Sequence, residues 1–137
     1  MAESALQVEL VSPARPLFRG PAAAVVAEAH DGEMGILPGH APLVALLGTG
    51  VVRVRTPGGG GTEAFAVRGG FVQVLGGRVS LVVTQAVAAS DVDRAAAEAA
   101  LAKAVEGLAH PRGDDEFARL LDERRWCEAQ IRIAGGR

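Results

Sequence analysis

The chain has 137 residues and a formal net charge of −2 at pH 7; it can bury one core, or a domain plus a small appendage, without staples, and it lacks the basic excess of a general nucleic-acid binder. A single cysteine, Cys127, excludes an intramolecular disulfide, so nothing demands an oxidising compartment. Charges and prolines among residues 1–20 exclude a secretory h-region, and no window of about twenty residues is free of charge and turn signals, so a soluble, cytoplasmic protein with no direct membrane insertion is expected.

From the N-terminus, Leu6, Val8 and Leu10 alternate with Gln7 and Glu9, the period of a half-buried strand. Val25 and Val26 supply a second strand core. Residues 32–43 hold three glycines, two prolines, Glu33 and His40, which predicts a shaped loop pinned to the core by Ile36, Leu37 and Leu43. A short strand is expected at 44–47. Residues 51–55 and 63–68 flank a glycine-rich turn at 57–61, and 71–75 and 79–84 flank a second turn at 76–78, so both pairs read as hairpins. About eight to ten short strands at this spacing favour a β-sandwich or flattened barrel.

At about residue 88 the texture changes. Residues 91–108 are alanine-rich and free of proline, with Ser90 as the expected N-cap and Asp93 completing a capping-box-like pair. Leu101, Val105 and Leu108 form one narrow apolar stripe. Residues 110–113 break that helix. Phe117, Leu120, Leu121, Cys127 and Ile131 fall on one face of a second helix reaching about Ile133, with 135–137 frayed. The expected fold is therefore α+β: a β-sandwich domain over residues 1–88 and an antiparallel two-helix hairpin over 89–137.

No catalytic constellation emerges. Glu28, His30, Asp31, Glu33 and His40 are the only cluster with metal-ligand chemistry, and their spacing matches no metal motif. Ser4, Ser12, Ser80 and Ser90 lack a nucleophile-elbow context, and no phosphate-cradling glycine loop is present. The second helix mixes Arg119, Arg124, Arg125 and Arg132 with Glu116, Asp122, Glu123 and Glu128, which ordinarily makes a wet face. At 100° per residue Trp126 points away from the Phe117–Ile131 stripe, so it packs on the sandwich or meets a partner, and both readings stay open. The residues alone also admit a free-standing β-sandwich binding module that dimerises through its hairpin, or a metal-dependent enzyme using His30 and His40.

The string GEMGILPGHAPL at 32–43 closely resembles the signature loop of the epsilon subunit of bacterial F-type ATP synthases. The segments VELVSP at 8–13 and LFRG at 17–20 look like that family's opening strand pair, and GGFVQV at 69–74, SDVD at 90–93 and AQIRI at 129–133 are similar to further family patterns. The resemblance implies a non-catalytic rotor subunit of the central stalk, counterpart of the mitochondrial delta subunit. Its partners would be the gamma subunit, the membrane rotor ring and, through the helices, the alpha/beta head. It would sit peripherally at the cytoplasmic face of the bacterial plasma membrane. In this reading Glu33 and Met34 share a turn tip that meets the ring, and His40 lies near gamma. Arg119, Arg124, Arg125 and Trp126 are candidate contacts of the hairpin with the head or gamma, and the hairpin itself is mobile and a candidate inhibitor of ATP hydrolysis. Some members bind ATP through an I/L-D-x-x-R-A motif and arginines of the second helix. Here Asp91, Asp93 and Arg94 form only a degenerate version: Ala96 replaces the arginine in one frame and Ser90 the aliphatic residue in the other. No cofactor is expected.

Overall fold

The computed structural model describes residues 5–29 and 31–135; Ser4, His30, Gly136 and Arg137 of the sequence reading lie outside them. Among the described residues, nine strands form two layers. The first sheet runs β2 (Pro16–Ala22), β1 (Leu6–Val11), β8 (Arg78–Val82), β7 (Phe71–Leu75) and the first part of β5 (Leu43–Arg55). The second runs β4 (Gly32–Ile36), β3 (Ala24–Ala29), the last part of β5, β6 (Thr62–Arg68) and β9 (Gln85–Ala88). Only β1 and β8 are parallel. Between the layers lie Leu6, Val8 and Leu10, Val52 and Val54, Phe65 and Val67, and Val72 and Val74, all buried. Period-2 alternation along each strand puts these side chains inward together. Phe18 meets Phe65 edge to face at 6.3 Å.

Three local expectations change. The strands expected at 44–47 and 51–55 are one strand, β5, which passes from the first sheet to the second: Leu43–Leu46 pair with β7, and Gly50–Arg55 with β6. The pairing of β3 with β5 shifts register between Ala27 and Ala29 beside this crossing. Glu28 fills the gap. Its Oε1 accepts the Val51 amide at 2.8 Å, and a Cβ at Gly50 would overlap that oxygen. Gly50 thus lets β5 bend without ending. Second, residues 32–36 are strand β4 rather than loop, because Met34 and Ile36 alternate inward with Gly35 between them; only 37–42 form a turn segment. Third, the turn between β7 and β8 has two residues, not three. Gly76 and Gly77 have φ of 57° and 80°, the left-handed pair that a tight hairpin requires, and Arg78 already opens β8.

The hairpin consists of α1 (Arg94–Ala109) and α2 (Asp114–Ile133). Its N-cap is Asp93, not Ser90: the Asp93 carboxylate accepts the Ala96 amide at 3.0 Å, while Ser90 sits in a preceding 3-10 turn. The seam also differs from the expected stripes. Val105 and Phe117 are exposed, Leu101, Leu108, Leu121 and Ile131 are half-buried, and α1 offers mainly Ala97 and Ala104. A Cβ at Gly107 would press on Leu120 Cδ1 at 2.9 Å. Small residues on α1 let the helices approach closely, which frees the larger side chains of α2 for another surface. That surface is the outer face of the second sheet. Trp126, Ala129 and Ile133 cluster there with Val51, Ala64, Ala66 and Ala89. Strand β6 is therefore buried on both faces.

Gly50→Ala is expected to destabilise the chain by about 1–3 kcal/mol, because the added methyl collides with a held carboxylate. Thermal melts should show the combined Gly50→Ala, Glu28→Ala chain losing less than the sum of the two single changes.

Candidate docking surface

The two sheets differ in what covers them. α2 lies across β5 and β6 of the second sheet, and no described segment packs on the outer face of the first. Register identifies the side chains on that open face. Leu46 pairs with Phe71, Phe71 with Val82 and Val82 with Val11, so one apolar row crosses four strands. The next row begins at Val44 beside Gln73 and continues to Ser80 and Glu9. Val44 and Leu46 are 69% and 66% exposed, and Phe71, Leu75 and Val82 are exposed as well. Scattered apolar residues on a surface are ordinary, but a contiguous row of aromatic and branched side chains marks a binding face. Nothing here is built for bond-making chemistry; the arrangement can bury area against another protein.

Sequence reasoning missed these residues, although a signal was present. Residues 43–47 and 71–75 are apolar at nearly every position, as in strands covered on both faces. The core accounts for Leu43, Ala45, Val72 and Val74. The other parity, Val44, Leu46, Phe71 and Leu75, has no cover among the described residues.

The residues singled out from the sequence are dispersed. Glu33 and Met34 do not share a turn tip. They are successive residues of the edge strand β4, so Glu33 points outward on the hairpin side while Met34 points in and packs against the core. His40 lies in the turn segment entering β5, its amide donating to Leu37 O at 3.1 Å and its Nδ1 2.7 Å from Ala41 O. It stands four residues before Val44 in the chain. Among the described residues no three His, Cys, Asp or Glu side chains gather as metal ligands.

On α2, Arg119 and Arg125 are exposed, and Arg124 lies 3.8 Å from Glu128. Trp126 is only 7% exposed and packs on the sandwich, the first of the two readings left open by the sequence. The guanidinium of Arg68 lies 5.5 Å from the indole centroid and donates to Asp122 and Glu123, each at 2.8 Å. Burial lowers the Arg68 pKa, but the hydrogen bonds and charges of Glu123 and Asp122 outweigh it and leave the pKa raised. Thr49 also donates to Asp122, and Arg132 Nη2 reaches both oxygens of Glu28 at 2.9 Å. Burial, with the charge of Glu123, raises the Cys127 thiol and keeps it an inert core group. The residues of the degenerate nucleotide motif are engaged elsewhere: Asp91 with Arg15 at 3.3 Å, Asp93 as the N-cap, and Arg94 with Glu98 at 3.2 Å.

Residues 5–89 match the family described as ATP synthase, Delta/Epsilon chain, beta-sandwich domain. The chain is 36% identical to the ATP synthase epsilon chain of Chromohalobacter salexigens, over 94% of this chain and 91% of that one. It is also 36% identical to the epsilon chain of Nostoc punctiforme, over 96% and 97%. The epsilon chain of Anoxybacillus flavithermus is 41% identical over 75% of each. Among solved structures, a chain of the Euglena gracilis mitochondrial ATP synthase superposes with a TM-score of 0.81 at 24% identity, covering 94% of this chain and 81% of that one. One from the Tetrahymena thermophila central stalk and c-ring gives 0.56 at 15% identity, covering 93% and 92%. At those identities the superpositions speak for the fold.

Replacing Leu46 and Phe71 together by serine is expected to change the stability of the isolated chain by about 0.5 kcal/mol or less, since neither fills the core. Val72→Ser on the same strand, which buries an unpaired hydroxyl, should lower it by about 2 kcal/mol or more. Melting curves of the two variants provide the check.

Proposed function

The chain belongs to the family of ATP synthase delta and epsilon chains, and on that premise we propose that it is the epsilon-type subunit at the foot of the central stalk of a proton-translocating F-type ATP synthase. It is a non-catalytic part: with gamma it couples rotation of the membrane ring to the catalytic head. The observation that carries the reading is the open apolar face built by Val44, Leu46, Phe71 and Val82, which a subunit working inside an assembly covers and a free-standing protein leaves wet. We assign that face, and His40 in the turn that enters β5, to gamma. Glu33, exposed on β4 beside the exposed Asp31, is the residue assigned to the ring's polar loops; Met34 supports it from within. Among the described residues no helix is long and apolar enough to cross a membrane, so attachment runs through the other subunits, at the cytoplasmic face of a bacterial plasma membrane.

The hairpin is the regulatory element of this proposal. Its docked state rests on a small apolar cluster, with only Trp126 and Ile133 large among the helix side chains, and on half-exposed ion pairs to Arg68 and Glu28. Exposed pairs are worth about 0–1 kcal/mol each. A partner that offers comparable burial can therefore draw the hairpin away, after which Arg119, Arg124 and Arg125 reach the head or gamma. It works without a bound nucleotide, in keeping with the other engagements of Asp91, Asp93 and Arg94. Dimerisation through the hairpin is disfavoured because α2 already uses Trp126, Ala129 and Ile133 on the sandwich.

Tagged chain incorporated into native membranes is expected to co-purify gamma and the head subunits; elution alone or as a homodimer would overturn the reading. Deleting residues 90–137 should raise membrane ATPase activity with assembly intact. Unchanged hydrolysis would remove the inhibitory role and leave the stalk assignment standing.

A further inference from the structure

We propose that a cavity at the polar end of the open face receives an acidic side chain of the docked partner, which pairs with Arg78 and sets the orientation in which the partner seats. The inference rests on reading the first sheet's outer face as the docking surface.

The cavity, about 220 Å³, lies over β1 between β2 and β8 and is lined by Gln7, Glu9, Arg19, Arg78 and Ser80, among others. Register places it on the same face as the apolar row. Arg78 stands between Leu75 and Gln7, and Ser80 between Gln73 and Glu9, both pairs of neighbours being outward positions. Arg78 and Val82 are four residues apart on one strand, about 13 Å. A partner broad enough to cover Leu46, Phe71 and Val82 extends over the cavity as well.

Charge decides what fits. Arg19 donates to Glu9 Oε2 through both Nε and Nη2, so the charge of that carboxylate is already paired. Arg78 is exposed and, among the described residues, has no carboxylate partner. The cavity therefore carries one positive charge in excess. Covering a lone guanidinium with apolar surface removes its hydration without compensation, so a stable complex must bring an acceptor to it. A single carboxylate balances one charge and takes a two-point hydrogen bond from a guanidinium. A phosphate dianion does not match, because Glu9 repels the second negative charge. Apolar contact across Leu46, Phe71 and Val82 is non-directional, whereas an ion pair some 13 Å from its centre fixes rotation about it.

The test is titration of isolated gamma subunit against the full chain at low and at high salt, with folding of each variant confirmed by its melt. Arg78→Ala is expected to weaken binding about tenfold or more at low salt, and Arg78→Glu further, with the differences narrowing at high salt. Arg55→Ala, an exposed arginine on the other sheet, should bind as the parent chain does. A Lys replacing one Asp or Glu of gamma should restore binding by Arg78→Glu. Parental affinity for both Arg78 variants, with binding lost when Leu46 and Phe71 become serine, would overturn this inference and leave the docking face intact. Parental affinity for the serine variant too would overturn both. Equal losses for Arg55→Ala and Arg78→Ala would mean diffuse charge attraction and would also defeat the proposal.

Discussion

Strand β6 is buried on both faces, and the rest of the architecture is arranged around that constraint. Inward it contributes Phe65 and Val67 to the space between the sheets; outward it shows Ala64 and Ala66 ahead of Arg68. Two methyl groups make a flat platform on which a helix can lie close, and Val51 on the neighbouring strand extends it. Trp126 and Ile133 supply from α2 the bulk that the platform lacks. Larger outward residues on β6 would lift the helix from Arg68, whose guanidinium bridges Asp122 and Glu123 and stacks over the indole. The pairing of small residues on the strand with large ones on the helix joins sandwich and hairpin over a second, smaller core.

The same constraint makes the sandwich asymmetric. The hairpin covers the second sheet, so the first faces outward alone. Strand β5 belongs to both sheets and ties the two situations together. Its first part displays Val44 and Leu46 on the open face, its bend is filled by the Glu28 carboxylate, and its last part supports α2 through Val51. Arg132 of α2 holds the same carboxylate. One side is thus closed by the chain's own helices and the other is available to a partner, as a subunit built into a larger rotating assembly requires.

Much of the fold was legible in the residues. Alternation at Leu6, Val8 and Leu10 identified a strand with one buried face, the glycine and proline clusters placed the two hairpin turns, and Pro111 with Gly113 separated the helices. The segment at 32–43 pointed to the family. What remained hidden shares a cause. Residues 44–47 and 51–55 read as two strands, yet Gly50 lies inside one continuous strand because a side chain distant in sequence occupies the space its Cβ would need. Glu33 and Met34 read as one loop tip, yet pairing with β3 sends them to opposite faces. Trp126 lies off the stripe between the helices, and helical periodicity says nothing about which outside surface it meets.

By itself the sequence determined that a run of short strands is followed by two helices, and which family the chain resembles, because propensity, alternation and turn chemistry act over a few neighbouring residues. Only the tertiary structure decided which sheet the hairpin covers, and hence that Val44, Leu46, Phe71 and Val82 stand open while Val51, Ala64 and Ala66 do not. Both sets are small or medium apolar residues at outward strand positions, alike in every local respect. What separates them is the packing of α2 against residues some sixty to eighty positions earlier in the chain, and non-local burial of that kind leaves no periodic mark on the strand that receives it.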